Sequence, residues 1–341
     1  MKQAFASIAV LITATFLYAC GETEPEPIST TTADVELTLT VSAEAPKVYT
    51  VVDFSEGTST EYKVEQWMQQ MRNEKPLYKE IELLESRSID PSKWEMHWVW
   101  ELYEGSKDKI SLGNARLVQR GSQVANAGEE VPIHTLNLNL PFGAYTLLAW
   151  ADYVPAGTNR DYYYNTSNLS SVTGYPELRQ SCTDNYQRDC FAKRLEFEVK
   201  KEEVNATLSN TTQKFTVPLT RPQGRYIVLA SDYKKYQELT SVPVESNRVE
   251  LDYPSFINVG YTVLEERPNQ SSTGLTYRFS PLLYPFNGEE MICLADDYSF
   301  VNGEVSHIRL DVEVLNPSEA TLSVNQNIDI PLSVSYTHLT L

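Results

Sequence analysis

The sequence predicts a mainly all-β fold, arranged as two tandem antiparallel sandwiches with one or two short helices in the first. Three observations carry this expectation. Apolar and polar residues alternate with period two in many short segments, from Val35, Leu37, Leu39 and Val41 near the start to Ile328, Ile330 and Leu332 near the end. Helical periodicity is confined to one stretch. A turn followed by an apolar run, Pro141 to Tyr153, returns in shortened form as Pro222 to Tyr233, which suggests two related halves built around equivalent strands. Its core, Leu147 to Ala151, is apolar at consecutive positions and therefore belongs in the middle of a packed sheet rather than on a solvated face.

At the amino end, Lys2 precedes an almost wholly apolar run from Ala4 to Ala19, shorter than the roughly 20 residues a spanning helix needs. The run ends in Leu17-Tyr18-Ala19-Cys20, a small residue before a cysteine, as in a bacterial lipobox. Residues 1–19 are accordingly expected to be a lipoprotein signal peptide, and Cys20 the lipidated residue. Each buried methylene of an acyl chain contributes about 0.8 kcal/mol, so two or three chains would hold the protein to the outer membrane. Residues 20–33 contain Glu24-Pro25-Glu26-Pro27 and a Ser/Thr run, and are expected to act as an extended tether.

The first sandwich is expected over residues 34–205. Val35 to Ser42 reads as a half-buried strand, and Lys47 to Phe54 as a second that pairs with it or extends the edge. Between Glu61 and Glu85, Val64, Trp67, Met68 and Met71, then Leu77, Ile81 and Leu84, recur at helical spacing around Pro76. Strands resume at Trp94 to Tyr103, at Leu136, Leu138 and Leu140, and at Tyr145 to Asp152. A polar insertion from Pro155 to Phe191 follows, then an alternating strand with Leu195, Phe197 and Val199. The Asn/Thr-rich stretch 201–213 is the expected boundary, and the second sandwich covers 206–332. It opens at Phe215 to Leu219 and includes Tyr226 to Ala230, Arg248 to Tyr253, and Ile308 to Val314.

Composition narrows the function. The chain has 341 residues and a net charge of −18, with no dense cluster of Lys and Arg, which argues against a nucleic-acid partner. His97, His134, His307 and His338 are scattered, and no nucleophile elbow, zinc-helix motif, phosphate loop or dinucleotide glycine pattern is present. No enzyme activity, cofactor or metal is expected. Cys182 and Cys190 lie in one polar segment, where a disulfide is plausible outside the cytoplasm, and Cys293 reads as a buried thiol. Asp152, Asp232 and the pair Asp296-Asp297 are read as turn formers or, alternatively, as cation ligands. Tyr162, Tyr163 and Tyr164 either pack beneath their loop or form a stacking platform for a glycan.

The lipobox at Cys20, the run Gly143 to Tyr153, the Tyr162-Tyr163-Tyr164-Asn165 segment, and Arg221-Pro222 before Gly224-Arg225-Tyr226 together resemble the fimbrillin-like lipoproteins of Bacteroidales, in an uncharacterised subgroup. That resemblance implies two transthyretin-like Greek-key sandwiches in a surface protein related to type V pili. It implies association with other fimbrial subunits by strand exchange, in pilus assembly or adhesion. Val35 to Val41 would then be the strand given up, with Lys47 or Arg72 as the processing point. The alternative function is a surface glycan-binding lipoprotein that accompanies polysaccharide uptake. The relatives continue past an Ile-Pro-Leu like Ile330-Pro331-Leu332 with a basic residue and a further strand. Residues 333–341 do not follow that pattern and are expected to be a non-native tail.

Overall fold

Alternating side chains decide which face of each strand is buried. The computed structural model describes residues 32–41, 50–53, 90, 92–126, 133–174, 185–201, 212–230, 243, 246–286, 289–302, 305–333 and 336–340. In chain order the first strands are β1 (Thr32–Val41), β2 (Thr50–Asp53), β3 (Trp94–Glu104), β4 (Arg116–Asn126), β5 (Ile133–Pro141) and β6 (Gly143–Pro155). Next come β7 (Tyr164–Asn165), β8 (Val172–Gly174), β9 (Cys190–Val199), β10 (Gln213–Leu219), β11 (Gln223–Ala230), β12 (Arg248–Tyr253) and β13 (Ile257–Thr262). The remainder are β14 (Arg267–Ser272), β15 (Leu275–Phe279), β16 (Leu282–Phe286), β17 (Glu289–Phe300), β18 (Val305–Leu315), β19 (Thr321–Ser333) and β20 (Tyr336–Thr340). The all-β expectation holds. The helices expected between Glu61 and Glu85 lie outside the described residues. A five-residue helix, α1 (Lys107–Ser111), joins β3 to β4 in a charged stretch without apolar periodicity to announce it.

Two sheets face each other around the first core. One has the order β10-β1-β5 and the other β4-β3-β6-β9. Val35, Leu37, Leu39 and Val41 of β1 pack there with Trp98, Leu102, Leu147, Ala149 and Phe197. Trp100 is pressed flat against β4, where a Cβ on Gly121 would come within 2.3 Å of its indole, so only glycine fits.

The second core lies between the sheets β16-β17-β11-β20-β2 and β15-β12-β18-β19. Val249, Leu251 and Tyr253 point into it from β12, and Ile308, Leu310 and Val312 from β18, with the charged residues between them turned outward. The two strands of the sequence repeat, β6 and β11, are both flanked on each side: β6 by β3 and β9, β11 by β17 and β20.

Consecutive apolar residues in β6 have a direct cause. Tyr145, Leu147, Ala149 and Ala151 fill the first core, while Leu148 and Trp150 fill a third cluster with Tyr164, Val172, Tyr261, Val263 and Phe300. A fifth sheet, β14-β13-β8-β7, covers this cluster and pairs the 155–191 insertion with the later hairpin. Gly260 of β13 sits so close to Val172 and to Asn269 and Gln270 that a side chain would collide with them. Residues 32–341 form one compact unit.

Three strands depart from expectation. Residues 213–219 do not open the second sandwich; they pair in parallel with β1, and Phe215, Val217 and Leu219 join the first core. The chain therefore passes between the cores near Thr220 to Pro222 rather than at 201–213. The β2 strand does not pair with β1, because β5 and β10 already take both edges of β1; it pairs with β20 instead. The backbone of 336–340, within the expected tail, forms β20 between β11 and β2.

Candidate functional site

The first strand after the amino-terminal segment is the natural place to look for strand-mediated chemistry. β1 runs antiparallel to β5 through nine residue pairs and parallel to β10 through seven. Four alternate side chains, Val35, Leu37, Leu39 and Val41, are each 2% exposed or less. At about 1.5–3 kcal/mol for each buried aliphatic side chain, they contribute roughly 6–12 kcal/mol of apolar burial. Along the outer face, Glu36 is paired with Lys214 at 3.1 Å, and Asn139 donates to Asp34 at 2.8 Å. Removal of β1 would leave a slot with a backbone edge on each side and an apolar floor. Cys20, Lys47 and Arg72 lie outside the described residues.

The tyrosine segment is packed inward. Tyr163 stacks on Trp94 at 5.8 Å, Tyr164 meets Trp150 edge-on at 5.3 Å, and Tyr162 packs against Trp94 at 6.0 Å. Tyr163 and Tyr164 are 8% and 3% exposed, so they do not offer the open stacking face expected of a glycan platform. Their polar ends are used internally: the Tyr164 hydroxyl donates to the Arg188 carbonyl at 2.5 Å, and Gln223 Nε2 donates to that hydroxyl at 2.9 Å. Cys190 is a free thiol on β9, facing the third core beside Trp150. This corrects the expected disulfide, since Cys190 is free and its side chain is buried in the third core; Cys182 lies outside the described residues. Burial pushes the Cys190 thiol well above its ordinary range, which leaves it inert.

Three of the aspartates read as turn formers or cation ligands, Asp152, Asp296 and Asp297, prove to be strand residues, and Asp232 lies outside the described residues. Asp152 lies opposite His97 on β3 and opposite Cys190 on β9, so the three form a row across adjacent strands. His97 Nδ1 is 3.2 Å from Asp152 Oδ1, with both side chains buried. Burial opposes the His97 cation, but the hydrogen bond and charge of Asp152 outweigh it and raise the histidine above its ordinary 6.5. Burial also raises Asp152 above its ordinary 3.8, against the pull of His97. Both groups thus hold protons more tightly folded than unfolded, and stability falls as pH rises. The Asp152 contribution is lost above 3.8, and the His97 contribution is complete below 6.5 and lost as pH passes the raised folded value. Raising the medium from about pH 6 to about pH 9 should lower the melting temperature, and His97→Gln should flatten that slope. Identical slopes in the two proteins would rule the pair out as the cause.

Sequence reasoning missed a buried ionic junction. Arg225 forks onto Asp296, with Nε and Nη2 at 2.7 and 2.5 Å from its two oxygens. Arg221 Nε donates to Asp189 Oδ2 at 2.6 Å, and Arg188 Nη1 lies 3.0 Å from Asp297 Oδ1 as an ion pair without hydrogen-bond alignment. Tyr253 donates to Asp297 at 3.1 Å and also contacts the Tyr226 hydroxyl. Burial raises the Asp189 carboxyl even with Arg221 beside it. The signal was present in the sequence as adjacent opposite charges, Arg188-Asp189, and as Arg221 and Arg225 around the repeated turn. Nothing local indicated that Asp296 and Asp297 would meet them. Among the described residues no group of His, Cys, Asp and Glu is arranged to hold a metal ion.

A family pattern covers nearly the whole of this fold, matching residues 29–339. The chain belongs to DUF6562, a family of unknown function. No curated protein matches it. Among solved structures, it is similar to a candidate adhesin from Bacteroides ovatus at 11% identity and a TM-score of 0.42, over 91% of this chain and 87% of that one. It is similar to the fimbrial anchor protein Mfa2 from Porphyromonas gingivalis at 11% identity and a TM-score of 0.38, over 85% and 82%. The tip fimbrial protein Mfa3 of the same organism, with a C-terminal truncation, gives 10% and 0.36, over 87% and 81%.

Proposed function

We propose that this DUF6562 chain is a non-enzymatic, lipid-anchored protein of the outer membrane surface, fimbrial subunit-like, which acts in pilus assembly or adhesion through β-strand-mediated association. The observation that carries this reading is the seat of β1. It is the earliest described strand, yet it occupies the middle of its sheet and supplies four core side chains. A central strand held near one end of the chain can be withdrawn without unthreading the rest. The vacated slot then offers unpaired N–H and C=O groups on both flanks, which a strand of matching alternation from a neighbour would satisfy. The Ala19-Cys20 junction supports a lipid anchor, and Lys47 or Arg72 would be the point at which the strand is released.

Mass spectrometry of the mature amino terminus, on protein from native outer membrane, tests both halves of the proposal. An acylated Cys20 supports the anchor and means that those molecules keep β1. A free terminus just after Lys47 or Arg72 supports release of the strand. Cleavage at either residue in purified protein should then give assemblies larger than the uncleaved protein forms, and an added peptide of residues 32–41 should block their formation. Cleaved protein that forms no larger assembly than the uncleaved protein would overturn strand exchange, and a mature terminus without acylation at Cys20 or processing at either residue would overturn the whole reading.

A further inference from the structure

Among the described residues, the first sandwich is closed on one side and open on the other. Where β9 and β10 meet, Ala192 and Thr220 exchange backbone hydrogen bonds of 2.9 and 3.2 Å, so the two sheets are stitched together. On the opposite side lie the outer strands β4 and β5. The β4 edge has charge on it: Arg116 bonds Glu104, and Arg120 bonds Glu101. β5 has none. Among the described strands of nine residues or more, it alone lacks Asp, Glu, Lys and Arg. Edge strands are ordinarily protected from pairing by charge, proline or a bulge within them. β5 has its only proline at the last position, Pro141, and runs against β1 without a register shift.

We infer that the edge of β5 turned away from β1 pairs antiparallel with the same edge of a second copy of this chain, about a two-fold axis at Asn137. The segment is self-complementary in that register on both faces. On the outer face, where residues are exposed, Asn137 meets its own copy and Thr135 meets Asn139. The Asn139 amide already donates to Asp34, which leaves its carbonyl oxygen to accept from the Thr135 hydroxyl of the other copy. Ile133, 51% exposed although large and apolar, is covered by Pro141. On the inner face Leu136 meets Leu138 and His134 meets Leu140, so the two first cores continue into one another. Charge selects the edge, and the self-complementary register selects the copy. Two chains of net charge −18 repel, and they can approach along a strand only where that strand adds no like charge. A two-fold axis closes the contact into a dimer instead of a filament. The inference does not depend on release of β1, because it uses the other edge of β5.

The test uses the full chain in mild detergent, with Asn137→Cys and, as a control on the neighbouring edge, Ser122→Cys. Residues directly opposite in an antiparallel pair have Cα atoms about 4.5–5.5 Å apart, within disulfide reach. Oxidation should give a covalent dimer from Asn137→Cys, with the 137–137 link mapped by mass spectrometry, and little from Ser122→Cys. Asn137→Lys places like charges against each other and should weaken dimerisation at least tenfold by sedimentation, with the melting temperature of the monomer unchanged because the residue is exposed. A chain that stays monomeric up to about 100 µM, equal cross-linking at the two positions, or an Asn137→Lys dimer as tight as the parent would overturn the inference.

Discussion

Replacement of Arg225 by methionine should destabilise the chain by about 3–5 kcal/mol, the cost of leaving one member of a buried ion pair without its partner. The pair is enclosed, with side chains 4% and 5% exposed, and the guanidinium satisfies both oxygens of Asp296. Methionine keeps much of the volume but leaves the carboxylate in a low-dielectric site, where it must either stay charged at high cost or take up a proton. Part of the loss is packing, since Arg225 also lies 5.7 Å over the Tyr298 ring. Adding Asp296→Leu removes the stranded charge, so the double variant should regain most of the lost stability. That recovery would make the pair a specifier of which strands meet, more than a net source of stability. Urea titrations of the parent, single and double variants measure this through their midpoints. A single variant within about 1 kcal/mol of the parent would show that water reaches Asp296 and that the junction is not dry.

That junction marks the limit of what the sequence discloses. Period-two alternation at 35–41, 248–253 and 308–314 identified strands and their inward faces, because a strand with one buried face writes its orientation directly into the order of residues. The run at 147–151 identified a strand buried on both faces, which β6 is. What lay on each face was not legible, since an apolar residue meets a neighbouring sandwich and its own core in the same way. Pairing was harder still. Phe215, Val217 and Leu219 alternate as any edge strand would, and nothing local says that their partner is β1, nearly 180 residues earlier. The aspartates failed for a related reason: Asp152, Asp296 and Asp297 are favoured turn residues by type, and only tertiary partners make them tolerable inside strands. The tyrosine segment left two readings open, and the burial of Tyr163 and Tyr164 follows from the position of Trp94 and Trp150, which no local pattern shows. Of the proposed strand-exchange site, β1 itself was fully legible, whereas its central place between β5 and β10 was not.

Replacement of Trp150 by alanine should cost about 3–5 kcal/mol and should also change the form of the unfolding transition. The indole is wholly buried, and the walls of its pocket come from distant parts of the chain: Tyr164 edge-on at 5.3 Å from the insertion, and Phe300 at 6.4 Å from β17. Beneath the bridging sheet β14-β13-β8-β7, this side chain is the largest fully buried one that the first sandwich contributes to the third core. Its loss leaves a cavity between the two sandwiches rather than inside either one. The parent should therefore melt in one cooperative step, and Trp150→Ala in two, as each core retains its own packing after the shared one fails. Leu37→Ala supplies the contrast. That leucine is equally buried but belongs to the first core alone, and its loss should cost about 2–5 kcal/mol without dividing the transition in the same way. Scanning calorimetry distinguishes the cases by the number of heat-absorption peaks. A Trp150→Ala variant that melts in one step within a few degrees of the parent would mean that the bridging sheet and the arginine–aspartate pairs suffice to couple the sandwiches. The aromatic core would then be a filler, and coupling would reside in the Arg188–Asp297 and Arg221–Asp189 pairs.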